Sequence, residues 1–492
     1  MARVVVIGSG AGGLATAARL ATRRHDVVIL ESAAEPGGRL RPVLPGDGTT
    51  SPAVTLVPEI VTLPAPLRDL FNKTGGSLDD VLELHPAPET LVLDAVDSSA
   101  LVPSVGPSAI AAALADGFGA AVEPAYRQLM SEAAELWQVL RTPLLETPGG
   151  SSRWLLDAAG GLRGLRLVRP QVSFARACSD VPAESVRALL DLEAIDAGSL
   201  PTYAPAWTIT RPYVRALFGE WTVPGGFAAL AAALVDRATA RGATIRTDCH
   251  VTGIDVKGAR VTGVRLANGD VVPADWVVAD IDGLEQLLPR ISDPGRSSLD
   301  LSTLVIVLHV PSHHIGPRLR EREVDGGPAR VTVLPANRVA AARELMTPKM
   351  PTDAWVRIER SFDSDEVWVV RMPVNAGYRV DDATVPSVLR LLSDRGVLTS
   401  TTDGLRVLNA LSPAAVAAHL QTVGGRLSGA ARRSPRRGLL RPPMTTDVGG
   451  LLRAGGGVVG GPGLPYAIQS GEVIAEVIGR PRASSDRSPD HI

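Results

Sequence analysis

Glycines at positions 8, 10, 12 and 13 follow directly on the apolar run Val4-Val5-Val6-Ile7, and Glu31 closes a second apolar run, Val27-Val28-Ile29-Leu30. That spacing suits the diphosphate of a dinucleotide. Gly8 lets the chain turn sharply out of a strand, Gly10 lets backbone approach a pyrophosphate, and Gly13 lets the next helix pack closely on the sheet. The helix start at Ala11 and Gly12 leaves N–H groups free, and these together with the dipole favour an anion. Glu31 lies at the distance along the chain from which a carboxylate reaches a ribose hydroxyl. The other reactive side chains are few. His309, His313 and His314 lack third and fourth partners at metal spacing, so no metal site is expected and they read as strand-end or surface residues. His85 beside Pro86 reads as a loop residue, Lys257 as a solvated hairpin lysine, and Cys178 and Cys249 as buried, inert thiols. No acid and base stand in a recognisable pair, and the catalytic residues stay unknown at this stage.

The elements that must position these glycines follow from periodicity. From Arg3 to Gly38 the chain reads as one βαβ unit, which right-handed crossover places in a parallel sheet covered by helices. A second block starts at Trp221-Thr222-Val223-Pro224-Gly225-Gly226: a helix over 227–240, a strand at 243–246 and another at 249–254. Arg260 to Leu266 then pairs with Val271-Val272 across Asn268-Gly269, a strong hairpin signal, and 274–280 reads as a buried strand returning to the sheet. Residues 107–215 read as amphipathic helices with breaks at Pro143, 148–150 and Pro170, a lid over a substrate. Strands around 304–308, 330–334 and 367–370 are expected to wall the substrate site. Glycines return at 455–457 and 461–463, suggesting backbone against cofactor, before a helix over 469–478.

Bulk properties bound the function. A chain of 492 residues is long enough for two or more domains. Lys and Arg number 50 against 52 acids, so no net field attracts nucleic acid. No apolar run reaches the roughly 18 residues of a spanning helix, and the first apolar run reads as a strand rather than an export signal. With two cysteines, the expected compartment is the cytoplasm. The run Arg432-Arg433-Ser434-Pro435-Arg436-Arg437 fits a solvated loop or a contact with anionic lipid head groups, which would put the protein peripherally on the inner membrane face. Mean hydropathy slightly above zero fits either an apolar substrate or an Ala-rich core.

The chain resembles the phytoene desaturase and carotenoid dehydrogenase-like flavoproteins of the wider amine oxidase group. Four motifs carry the likeness: Gly8-x-Gly10-x-Gly12-Gly13 with Glu31 and Gly37-Gly38-Arg39; Trp221-x-x-Pro224-Gly225-Gly226; residues 249–254 with the hairpin and Ala274-Asp275-x-Val277-Val278; and Gly461-Pro462-Gly463-Leu464-Pro465 with Gln469-Ser470-Gly471. The resemblance implies an α/β fold: a discontinuous Rossmann-like FAD-binding domain of the two-dinucleotide-binding type, with an α+β substrate domain and a helical lid. It implies FAD held by Gly8, Gly10, Ala11, Gly12, Gly13, Glu31, Gly38, Arg39, Val251, Gly455, Gly463 and Pro465, with Val251 at the adenine and the 461–471 segment beside the isoalloxazine. The expected division is FAD-binding segments at 1–75, 221–285 and 441–479, a mainly helical substrate segment at 76–220, a β-rich one at 286–440, and a disordered tail at 480–492.

The implied activity is hydride transfer from a hydrophobic, carotenoid-like substrate to flavin N5. The alternatives are a flavin oxidase of amines or porphyrinogens, in a group that often places a lysine near N5, and a flavin- or lipid-binding protein without turnover. Two departures stand out: Val54-Thr55-Leu56-Val57-Pro58-Glu59 replaces the family's Phe-Asp-x-Gly-Pro-Thr, and the loop before the C-terminal signature is shortened, with Gly455-Gly456 in place of its Gly-Ala/Asp. The chain also has only three lysines, Lys73, Lys257 and Lys349. Sequence alone leaves the oligomeric state unknown.

Overall fold

Strand β1 (Arg3–Ile7) is buried from Val4 onward, as a run of Val and Ile must be when both faces of a parallel sheet are covered. In the computed structural model, which describes residues 1–43, 54–149, 161–291, 297–321, 328–361, 364–400, 404–429, 431, 434–435 and 441–481, β1 is the middle strand of five. It pairs in parallel with β2 (Asp26–Leu30) on one side and with Trp276–Ala279 on the other. Thr244–Arg246 flanks β2, and Leu451–Arg453 flanks Trp276–Ala279, both in parallel. The sheet is therefore assembled from three distant parts of the chain.

Helix α1 (Ala11–Thr22) covers one face together with the helices Gly226–Ala240 and Leu464–Ile478. Small residues let them close almost to backbone contact. A Cβ on Gly471 would lie 2.7 Å from the Thr16 nitrogen. Arg19, buried in this layer, is neutralised by Asp69 at 2.7 Å and by Glu472. The other face carries the sheet of Val251–Lys257, Arg260–Leu266 and Val271–Pro273, whose hairpin turns at Asn268-Gly269 as expected.

The second body is a seven-stranded sheet in the order Arg406–Leu411, Leu301–His309, Ser364–Asn375, Val356–Ser361, Arg330–Val333, Thr90–Leu93, Ser99–Val102. One face packs Leu91, Ile306, Val331, Ile358, Val370 and Met372 into an apolar core. Above the opposite face lie the helices Pro107–Phe118, Val122–Leu145, Glu184–Asp196 and Thr210–Phe218. A small sheet of Val61–Thr62, Glu220–Thr222 and His85–Pro86 joins segments on the way between the two bodies.

Several expectations are corrected. Pro143 does not break its helix, which runs to Leu145: a proline in the last turn forfeits only one bond, and Trp137, Leu140 and Pro143 are buried. The last helix begins at Leu464, not Gln469, because Pro465 suits a first turn. His85 pairs in a strand, and His314 is 2% exposed rather than on the surface, bonding Thr399 at 3.3 Å. Cys178 is buried, and burial pushes its thiol up, but Cys249 is only half-buried. The basic residues at 432, 433, 436 and 437, and the tail from 482, lie outside the described residues.

Asp191, 1% exposed, receives Arg338 at 2.9 Å across the helix–sheet boundary, yet burial pushes its carboxyl up to about 6. A carboxyl whose folded value exceeds its unfolded value of about 3.9 binds its proton more tightly in the native state, so its contribution to stability declines as pH rises between those values. The difference in unfolding free energy, wild type minus Asp191→Asn, should fall by about 2–3 kcal/mol from pH 4 to pH 7. Urea midpoints of both proteins at the two pH values check this.

Candidate functional site

Where β1 ends, its neighbours diverge, β2 to one side and Trp276–Ala279 to the other, the place at which open parallel sheets take ligands. A cavity of about 650 Å³ opens there and continues to the polar face of the seven-stranded sheet. Gly8 turns with φ +91°, and a Cβ on Gly13 would strike the Gly8 carbonyl, so strand end and helix start meet backbone to backbone. The Glu31 carboxylate accepts from Ser9 N–H at 2.9 Å and its hydroxyl at 2.6 Å through Oε2, and from Ala33 N–H at 2.9 Å through Oε1. This fixes the carboxylate at the cavity edge with acceptor capacity to spare.

Gly8, Gly10, Ala11, Gly12, Glu31, Gly38, Arg39, Val251 and Gly463 all line the cavity. Three others do not: Gly13 lies beneath the first turn of α1, Gly455 packs on Asp280 and Gly12, and Pro465 is buried in the first turn of its helix. Gly38 stands so near Gly10 that a Cβ would come within 2.9 Å of its Cα. Cys249 lines the cavity too. The Val54 to Glu59 departure has its own place, Glu59 accepting from Phe227 N–H at 3.2 Å. Among the described residues no group of His, Cys, Asp or Glu is disposed to hold a metal. His309 instead meets Glu366 at 3.0 Å at its strand end.

The glycine cradle, the Glu31 carboxylate and the half-buried Arg39 fit FAD: narrow backbone for a diphosphate, an acceptor for ribose hydroxyls, and a cation. Burial lowers the Arg39 guanidinium, with Asp282 and Asp280 pulling the other way. Sequence reasoning missed Asp280. Its carboxylate accepts the Gly13 N–H at 2.7 Å and so already sits on the helix start. Burial pushes this carboxyl up, and Glu31 adds to that, against the Gly13 and Gly12 N–H groups and Arg39. The signal was present as an acid directly after an apolar strand, but it was read as part of the strand.

Beyond Pro462 the cavity wall becomes ionic, which sequence reasoning also missed. Arg211 stands 3.5 Å from Glu193, Glu193 3.0 Å from Arg215, Arg215 3.2 Å from Glu220, and Glu220 2.5 Å from Arg330. Asp196 takes Arg357 in a bidentate pair at 2.8 and 2.7 Å, and Glu359 takes Arg371 at 2.6 Å. Burial alone would raise the Glu220 carboxyl, but Arg330 and Arg215 outweigh it and hold it down. Arg357 does the same for Asp196. Val102, Ile110, Leu114, Leu189 and Leu301 also line the cavity.

Residues 3–280 match the family described as FAD dependent oxidoreductase. Among curated proteins, the chain is 29% identical to hydroxyneurosporene desaturase of Cereibacter sphaeroides, over 99% of each chain. It is 26% identical to the neurosporene-forming phytoene desaturase of Rhodobacter capsulatus, over 99% of this chain and 96% of that one. Among solved structures, wild-type putrescine oxidase bound to putrescine shares the fold, with TM-score 0.56 and 15% identity over 97% of this chain and 98% of that one.

An ionised Asp280 opposes a diphosphate placed at the same helix start, so FAD binding should strengthen as pH falls and Asp280 takes a proton. Asp280→Asn keeps the hydrogen-bond acceptor and removes the charge. Titrating apoprotein with FAD by flavin fluorescence should show about tenfold tighter binding for the variant at pH 8, and a pH profile flatter than that of the wild type between pH 5 and 8.

Proposed function

The chain belongs to the FAD dependent oxidoreductase family, and on that premise we propose that it holds FAD along the glycine cradle and dehydrogenates a carotenoid-like polyene, adding one double bond. The end-to-end likeness to two carotenoid desaturases carries this reading, and a cavity long enough to reach from Glu31 to the second sheet supports it. FAD, when bound, would supply the two-electron hydride acceptor, and the second hydrogen would leave the polyene as a proton to solvent. The chain supplies the rest. Glu31 holds ribose hydroxyls, the N–H groups at the start of α1 and Arg39 meet the diphosphate, and Val251 packs at the adenine. Gly463, beside Pro462, leaves room for a flat ring and a substrate to approach. Ile110, Leu114 and Leu189 exclude water from the reacting carbons. No lysine is among the residues lining the cavity, which sets the site apart from the lysine-assisted amine oxidation weighed above. Among the described residues no helix is long and apolar enough to cross a membrane.

The test is an anaerobic screen. FAD-reconstituted protein mixed with neurosporene- or phytoene-type polyenes should lose the flavin's long-wavelength absorption while the polyene band moves to the red. Bleaching by amines or porphyrinogens with none by polyenes would sink the proposal.

A further inference from the structure

The polar face of the seven-stranded sheet is an unexpected surface for a hydrocarbon. Cross-strand register puts Arg357 opposite Arg371 on one side and Thr332 on the other, and sets Arg330 opposite Glu359, all facing the cavity. Apolar side chains would serve a bare polyene at lower cost, because desolvating charges is unfavourable even when they are paired. The charges that line this part of the cavity do not cancel. Five arginines, Arg211, Arg215, Arg330, Arg357 and Arg371, meet four carboxylates, Glu193, Asp196, Glu220 and Glu359, leaving one positive charge. Glu59, near Arg371, does not line the cavity, and burial pushes it towards its neutral form.

The surplus can be located. Asp196 is taken up by Arg357 and Glu359 by Arg371, so the remainder is the chain Arg211–Glu193–Arg215–Glu220–Arg330, three guanidiniums to two carboxylates. Its open end is Arg211. There Nη1 donates to the Pro462 carbonyl at 3.1 Å, while Nε and Oε2 of Glu193 meet only as an ion pair at 3.5 Å, and neither of these two buried atoms makes a hydrogen bond. Glu193 is 4% exposed, whereas the side chains of Arg211 and Arg215 keep 20% and 34% of theirs open. Two guanidiniums thus reach the cavity space on either side of a carboxylate too few in charge to satisfy both.

We propose that Arg211 and Arg215 receive an oxygen-bearing end group of the substrate, a carboxylate best and a hydroxyl less well, beside Pro462. The proposal rests on the polyene reading for the chain that bears this group. With the Pro462 segment at the redox end of the cofactor, as the resemblance implies, the oxygen would lie within a few bonds of the carbons that lose hydrogen. A charge-assisted hydrogen bond in a dry cavity is stronger than one to a neutral donor, which orders the ligands carboxylate, alcohol, hydrocarbon.

Holoprotein is titrated at pH 7.5 with all-trans polyenes of equal length ending in a carboxylate, a primary alcohol or a methyl group, binding being read from the perturbed flavin spectrum without turnover. The acid should bind at least about tenfold more tightly than the methyl-ended chain, with the alcohol between. Arg211→Gln should bring the acid and the methyl chain to within about twofold, Arg211→Lys should keep most of the preference, and Arg215→Gln should weaken it. Equal binding by the three ligands in the wild type overturns the proposal, whether or not any variant folds. So does a preference unchanged in both Arg211→Gln and Arg215→Gln. Failure of the parent reading looks different: the acid binds preferentially, yet no polyene bleaches the flavin.

Discussion

Everything in this molecule hangs on one backbone-to-backbone contact, the seating of the start of α1 on the end of β1. Gly13 has no side chain because the Gly8 carbonyl occupies the space a Cβ would need. Its N–H is taken by the Asp280 carboxylate, which arrives on the strand Trp276–Ala279 from more than 260 residues away. A single close approach thus aligns the first strand, its helix and a distant strand, and the cavity is the space they leave. Gly455 closes the same point from a fourth direction, resting on Asp280. The glycines serve as spacers for neighbouring backbone as much as for a cofactor.

Two electrostatic regimes meet in the cavity. At the first sheet, charge is sparse and each group has a fixed duty: Glu31 is locked by Ser9 and Ala33, and Asp280 by Gly13. At the second sheet, charge is dense and shared, every carboxylate meeting at least one arginine. Within this network the neighbouring arginines hold the Asp196 and Glu220 carboxyls down despite their burial. It adds to the apolar seam by which Ala188, Leu192 and Ile195 of the helix Glu184–Asp196 pack on Val92 and Leu301 of the sheet and on Trp355.

Legibility followed the range of the interactions. The βαβ unit, the Asn268-Gly269 hairpin and the return of residues 276–279 to the sheet were readable, because turn chemistry and period are local properties. So were the cavity-lining glycines, since their spacing is imposed by neighbours within one turn. The ionic wall was not, although its signs stood in the chain: Arg357-x-Glu359 and Arg371 interrupt apolar strands, and Arg211 and Arg215 lie one helical turn apart. Alternation tells that one face is polar, but not that this face is turned inward onto a cavity. The role of Asp280 likewise depends on a partner 267 positions away. Pro143 misled because a proline's cost depends on how many turns remain after it, and helix ends are set by packing.

The order of strands in the first sheet has a consequence for how the chain acquires its shape. β1 and β2 are made first, yet the strand beside β1 arrives only at Trp276–Ala279, and the edge beyond it at Leu451–Arg453. β1 therefore keeps one edge open while the helices and the strands Thr90–Leu93 and Ser99–Val102 are made, and Trp276–Ala279 keeps one open while the other five strands of the second body are made. Pairings this remote in sequence are the slow ones, since a large loop must close before any contact rewards it. Maturation of the protein is thereby tied to its last elements, and the long interval with an open edge is when the nascent chain is most in need of a chaperone.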